Sequence, residues 1–222
     1  MDTLKHLSLS LMLLVAATAN AQDDEPRSLL GGREDMANGG WGAPTATYTR
    51  MLDQDALLVG ARGGWLIDHR ITLGFAGHGL VTSVNNAAYD AHLVEAGELL
   101  RAKSRLQTGY GGLLIEPIIA YRSPVHISLP IIIGAGGAGY SYSVQRAPNP
   151  VDEEHDHGTY FNDATAYFVV EPGIDLEVTL IPLVRLAVGA SYRFTSDLDL
   201  PGTPKDALHG FNAGFSVKVG RF

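Results

Sequence analysis

Tyr167-Phe168-Val169-Val170-Glu171-Pro172-Gly173-Ile174-Asp175-Leu176-Glu177-Val178-Thr179-Leu180 changes chemical character at every second residue. Successive side chains of an extended chain point to opposite faces. Glu171, Gly173, Asp175 and Glu177 therefore share one face, and Phe168, Val170, Pro172, Ile174, Leu176 and Val178 share the other. The next run repeats the arrangement, with Arg185, Ala187, Gly189, Ser191 and Arg193 set against Val184, Leu186, Val188, Ala190, Tyr192 and Phe194. Two consecutive strands thus face the same two environments, one polar and one apolar.

The same period extends in both directions and predicts strands near 43–52, 56–67, 70–81, 108–122, 125–143, 164–179, 184–195 and 208–222. Their order predicts an all-β fold, an up-and-down antiparallel transmembrane β-barrel of about eight strands. The connections fall into two classes. Asp68-His69-Arg70, Arg122-Ser123-Pro124 and 179–183 are tight, whereas 82–107, 144–163 and 196–207 are long, and the two classes alternate along the chain. Short turns on one rim and long loops on the other are the pattern of bacterial transmembrane barrels. Asp53-Gln54-Asp55 is the exception, a short connection on the long-loop rim. The strands run to about ten residues or more, as a tilted crossing of a bilayer requires. Pro117, Pro130 and Pro172 lie inside strands, and each removes a ladder donor, so a bulge or an opened pair is expected at each.

A closed eight-stranded barrel has an interior just wide enough for side chains. The polar face carries Arg62, Glu116, Glu171, Asp175, Glu177, Arg185, Arg193 and Lys218, mixed in sign and interspersed with small residues. These eight are read as lumen charges that pair and plug the interior, leaving the apolar face to lipid. Trp65, Tyr121, Tyr192 and Phe194 near strand ends fit interfacial girdles. The inverse packing, a soluble periplasmic lipocalin-like barrel with a ligand inside, is the competing reading of the same alternation.

The N-terminus sets the compartment. Lys5 and His6 precede the apolar run 7–17, and Ala19-Asn20-Ala21 is a small-x-small cleavage pattern. Residues 1–21 are read as a signal peptide cleaved after Ala21, 22–40 as a polar, flexible lead-in, and 41–222 as the barrel. The expected location is the cell outer membrane. The chain has no cysteine, so no disulfide framework contributes to its stability. A net charge of −8 argues against a nucleic-acid partner, which would need clustered basic residues in excess.

Gly109-Tyr110-Gly111-Gly112-Leu113-Leu114-Ile115-Glu116-Pro117, Val169-Val170-Glu171-Pro172-Gly173, Gly189-Ala190-Ser191-Tyr192-Arg193-Phe194 and the terminal Phe222 resemble small outer-membrane β-barrel proteins of the OmpA/OmpX transmembrane type. The resemblance covers most of residues 40–222. It implies outer-membrane lipid and lipopolysaccharide as surroundings, and insertion by the barrel-assembly machinery with Phe222 as the assembly signal. Phe222 is, however, in phase with Gly220, Lys218, Ser216 and Gly214 rather than with Phe211, Ala213, Phe215, Val217 and Val219. A bulge at Gly220 would restore the phase.

No catalytic, cofactor or metal residues are assigned. Gly134-Ala135-Gly136-Gly137-Ala138-Gly139 has the glycine spacing of a dinucleotide fingerprint, but Tyr140-Ser141-Tyr142-Ser143 continues a strand where that fingerprint opens a helix. Asp152-Glu153-Glu154-His155-Asp156-His157 offers cation ligands within a loop. His69, His78, His92, His126 and His209, with Ser83, Ser123 and Ser128, form no recognisable nucleophile motif. His126 and Ser128 share a strand face. The segment from Asn86 to Gln107 fits either a short amphipathic helix or an extension of the flanking strands. The expected role is structural or surface-interacting, with a narrow porin-like channel as the alternative and a lipid-modifying hydrolase or acyltransferase as a third.

Overall fold

A computed structural model describes residues 38–144 and 159–222. Its strands are β1 (Asn38–Met51), β2 (Gln54–Ile67), β3 (Ile71–Leu80), β4 (Leu100–Ile119), β5 (Val125–Ser128), β6 (Ile131–Val144), β7 (Thr159–Ile181), β8 (Val184–Thr195) and β9 (Gly210–Arg221). A single described helix, α1 (Ala87–Glu95), lies between β3 and β4. Apart from β5 and β6, which do not pair with each other, consecutive strands pair antiparallel, and β1 closes on β9 from Gly40 opposite Arg221 to Thr49 opposite Asn212. β5 and β6 both lie between β4 and β7 and act as one strand broken at Leu129-Pro130, so the ring has eight positions.

The prolines explain the break. Pro130 has no amide hydrogen to donate, and its carbonyl instead accepts from the Gly173 amide at 2.8 Å. At Pro172, β7 loses its pairing with β8 between Val170 and Gly173. Pro117 ends the pairing of β4 with β3, and its carbonyl accepts from Leu129 at 2.9 Å. The three prolines therefore open the ladder on adjacent strands at one height.

The structure departs from the sequence reading at several points. Asn38, Gly39 and Gly40 belong to β1, paired with Ile67, Leu66 and Trp65, rather than to the lead-in. Residues 1–37 lie outside the described residues. β4 begins at Leu100, so the 82–107 connection contains both a helix and a strand extension. The ladder from β9 to β1 and β8 keeps a constant register through Gly220. The expected bulge there is absent, and the terminal residue stays in phase with the inner face.

The tight hairpins use a known device. Leu52 and Asp53, and Asp68 and His69, have positive φ in consecutive residues, the conformation of turns whose twist matches that of paired strands. The β2–β3, β4–β5 and β7–β8 turns share the end of the barrel that holds Asn38 and Phe222. The opposite end carries the β1–β2 turn, α1 and the 196–209 connection.

At this loop end the interior is apolar. Met51, Leu58, Leu106 and Tyr140 from the strands, Val84 and the α1 residues Tyr89 and Leu93, and Leu198, Leu200 and Leu208 from the last connection form one buried cluster. Each leucine so buried stabilises by about 1.5–3 kcal/mol. Asn86 organises the cap. Its side-chain oxygen accepts from the amides of Ala88 and Tyr89, capping α1. Its amide donates to the Tyr140 hydroxyl, the Gly202 carbonyl and Thr203 Oγ1. Gly202 is at φ +60°, and a Cβ there would fall 2.7 Å from the Ala88 carbonyl carbon. Only glycine lets the connection lie this close to the helix.

Candidate functional site

The inner face follows from the period of two. On β7 the buried positions are Tyr167, Val169, Glu171, Asp175 and Glu177, while Phe168, Val170, Ile174, Leu176 and Val178 are exposed. Leu57, Val59, Trp65, Leu73, Phe75, Leu113, Ile133, Leu186, Val188, Phe211, Phe215 and Val219 continue the outward apolar set around the ring. All eight charges singled out from the sequence lie on the inner face, Arg62 with a side-chain exposure of 11% and the others classed as buried. Four carboxylates stand against four cations, so their formal charges cancel.

Lys218 is the hub of the turn-end half. Its ammonium donates to Glu116 and to Glu177, and lies 4.2 Å from the centre of the Trp41 ring. Arg62 pairs with Asp175, lies 3.8 Å from Glu116 and donates to Ser216 at 2.9 Å. Glu177 also accepts from Ser128 and shares a 3.0 Å hydrogen bond with His126. Arg185 reaches His126 at 3.3 Å and covers the Phe222 ring at 3.9 Å. Trp41, Ala43, Leu66, Leu114, Ile118 and Ile132 fill the rest of this half. Pairing at this density offsets a desolvation penalty of several kcal/mol per buried ion.

Glu171 and Arg193 are held differently from the ion pairs expected of the lumen charges. Glu171 accepts from Tyr110 and Ser191 hydroxyls. Arg193 donates to the Leu208 carbonyl at 2.7 Å and to Asn212 and Thr49, with its guanidinium 5.6 Å from the Tyr110 ring centre. Neither forms an ion pair within 4.0 Å among the described residues. Tyr110 serves both, its hydroxyl toward the anion and its ring toward the cation. Arg193 thereby ties the strand wall to the 196–209 connection of the cap.

The candidate chemistry resolves on geometry. His126 and Ser128 share a face as the alternation predicted, but both bind Glu177 rather than each other, which is not the nucleophile–base contact of a triad. Oxygens of Glu116, Asp175 and Glu177 come within 4.8 Å of one another. Lys218 and Arg62 already supply the counter-charge at that point, and the donor set does not fit a further cation. The glycine run 134–139 lies within β6, as strand. The acidic and histidine segment 152–157 is outside the described residues. A cavity of about 60 Å³ lies between the two halves, lined by Thr45, Arg62, His78, Glu171, Asp175 and Asn212 among others, room for a few waters.

The helix cap was not read as an apolar plug from the sequence, nor were Tyr110, Trp41 and Asn212 read as partners of the lumen charges. Asn212 and Ser216 carried a signal, since both are in phase with Lys218 on the last strand. In α1, outside the strands, burial and the Asp163 carboxylate, which accepts from Tyr89 at 2.8 Å, hold the Tyr89 phenol well above its ordinary range. At the turn end the Arg70 guanidinium draws the Tyr121 phenol down.

No protein-family model matches the sequence, and no curated protein matches it. Among solved structures the chain is similar to neisserial surface protein A, at 12% identity over 85% of this chain and 99% of the other, with a TM-score of 0.45. It is similar to Ail, the attachment invasion locus protein of Yersinia pestis, at 9% identity over 85% and 100% of the two chains, with a TM-score of 0.46. It is also similar to the N-terminal β-barrel domain of OprF from Pseudomonas aeruginosa, at 8% identity over 84% and 99%, with a TM-score of 0.45.

Proposed function

We propose that the chain is an outer-membrane β-barrel with a closed lumen and a structural or surface-interacting role. One observation carries the reading, the inversion of its two faces. Phe75, Phe168, Phe211 and Phe215 are 58–78% exposed on the outside, whereas Lys218, Glu116 and Glu177 are at most 1% exposed within. A barrel in water would gain by the opposite arrangement, since exposed apolar patches of this extent are unfavourable there. In lipid, a closed ring satisfies its backbone hydrogen bonds internally and presents only apolar side chains.

Closure of the lumen is supported by the apolar cluster beneath α1 and the 196–209 connection and by the ion pairs toward the turn end. The reading places the tight turns in the periplasm and α1 outside the cell, after removal of residues 1–21. It includes assembly through Phe222 before the ring closes; in the folded barrel that side chain lies under Arg185. No catalytic step is assigned, because Glu177 engages both His126 and Ser128. The test is conductance across a planar bilayer containing the purified protein. A closed barrel gives no stable unitary currents, and reproducible currents from the unmodified chain would favour the narrow-channel alternative.

A further inference from the structure

His78 is the titratable side chain that β3 sends into the lumen. The inward positions of that strand read Thr72, Gly74, Ala76, His78 and Leu80. Directly opposite His78 on β4 stands Tyr110, and the imidazole lies against the phenol with 5.3 Å between ring centres. Nδ1 of this imidazole is buried and has no hydrogen-bond partner among the described residues, as is true of Thr45 Oγ1 and Arg62 Nε. All three residues line the cavity between the two halves of the lumen. A polar cavity bounded by three unpartnered groups is a setting that retains buried water, and such waters give the imidazole a source of protons.

The charged and titratable groups that face His78 come from four strands: Arg62 from β2, Tyr110 from β4, Glu171 and Asp175 from β7, and Arg193 from β8. β1, β6 and β9 add only neutral side chains to the cavity. Asp175 is engaged by Arg62. Glu171 is the lumen carboxylate that has no cation within 4.0 Å among the described residues, and the Tyr110 and Ser191 hydroxyls hold it instead.

We propose that His78 is a proton-binding latch for the cap. Protonation places a third cation beside Arg62 and Arg193, and Glu171 is the carboxylate without an ionic partner to meet it. Glu171 turns from the Tyr110 hydroxyl toward the imidazolium, because a hydrogen bond between two charged groups is the stronger. Tyr110 is also the seat of Arg193, whose guanidinium lies 5.6 Å from its ring centre and whose Nε donates to the Leu208 carbonyl at 2.7 Å. Loss of the Tyr110–Glu171 bond, with repulsion from the new cation, draws Arg193 off Leu208 and releases the 196–209 connection. The cap is thus closed at neutral pH and loosened in mild acid.

The chain has no cysteine, so one placed at exposed Lys205 carries a nitroxide at a single position of the connection. The full chain is folded in lipid vesicles and the spectrum is read from about pH 8 down to about pH 5, the range over which imidazoles take up protons. The ratio of mobile to immobile label is expected to rise roughly tenfold, the scale of one lost hydrogen bond to a charged group. It stays flat in His78→Gln and is blunted in Glu171→Gln, whose carbonyl still accepts from Tyr110. His209 lies in the connection itself and donates to the Thr195 carbonyl at 2.8 Å, and His209→Gln is expected to keep the step. No step in the unmodified chain, a step that survives His78→Gln, or an undiminished step in Glu171→Gln overturns the proposal. Heat-dependent gel mobility, retained in every variant, keeps that failure distinct from failure of the membrane-barrel reading on which the latch rests.

Discussion

The side-chain amide of Asn86 donates to the hydroxyl of Tyr140 at 2.7 Å, joining the start of a loop helix to the barrel wall. Because the same amide holds Gly202 and Thr203, one residue fastens both parts of the cap to β6. Tyr89 stacks on Tyr140 at 4.0 Å between ring centres, so the joint is packed as well as hydrogen-bonded. Asn86→Ala removes the helix cap and three donated bonds, at a cost of about 1–3 kcal/mol. Hydrogen exchange is expected to accelerate in α1 and across 196–209 while β1, β8 and β9 keep their protection. Uniform acceleration throughout the barrel would mean that the cap is not a separate unit.

Lys218→Met leaves Glu116 and Glu177 facing each other without their shared cation. Breaking a buried pair in this way costs about 3–5 kcal/mol, read as a lower urea midpoint of the folded barrel in lipid vesicles. Adding Glu116→Gln and Glu177→Gln to Lys218→Met removes the uncompensated charges and recovers much of the loss. If the single and triple variants unfold at the same urea concentration, the ion-pair account of this half is wrong.

Arg193→Ala releases the Leu208 carbonyl and uncovers Tyr110, and Glu171→Ala leaves the Tyr110 and Ser191 hydroxyls without an acceptor. Each is expected to destabilise by about 1–3 kcal/mol, more than a substitution at exposed Lys205. The partners are neutral, so added salt should leave both losses nearly unchanged. Thermal unfolding at two ionic strengths checks both points.

Tyr89 gives the cap a pH dependence. Its folded-state pKa is raised, so its contribution is complete below the ordinary phenol value of about 10 and is lost as pH rises through the higher folded value. Limited proteolysis within 196–209 should stay slow at neutral pH and quicken in strong alkali. In Tyr89→Phe the cap is looser at neutral pH and that alkaline step is absent.

Alternation of residue chemistry made the ring legible from sequence, because in a barrel every strand faces the same two environments and the pattern is repeated rather than unique. It also placed Glu171, Asp175, Glu177, Arg185, Arg193 and Lys218 on one face, since phase along a strand is local information. Partner choice was not legible. That Lys218 meets Glu116, 102 positions away, and Arg193 meets Leu208 rather than a carboxylate, depends on the stagger of the closed ring. The cap was hidden for another reason: Leu93, Leu198, Leu200 and Leu208 are scattered through polar connections and become a cluster only when two loops fold over one opening. Phe222 stays in phase with Lys218 and Gly220 because β9 remains in register with β1 through Gly220.

The placement of the apolar face is tested most directly by the two tryptophans, the only ones in the chain. Trp65 is 50% exposed on the outer face and Trp41 is 6% exposed in the lumen. In vesicles containing brominated lipids, the Trp41→Phe variant, which retains Trp65, should be strongly quenched, and the Trp65→Phe variant, which retains Trp41, should not. Insensitivity of Trp65 to brominated lipid, with ready quenching by an aqueous quencher such as acrylamide, would contradict a membrane-embedded barrel.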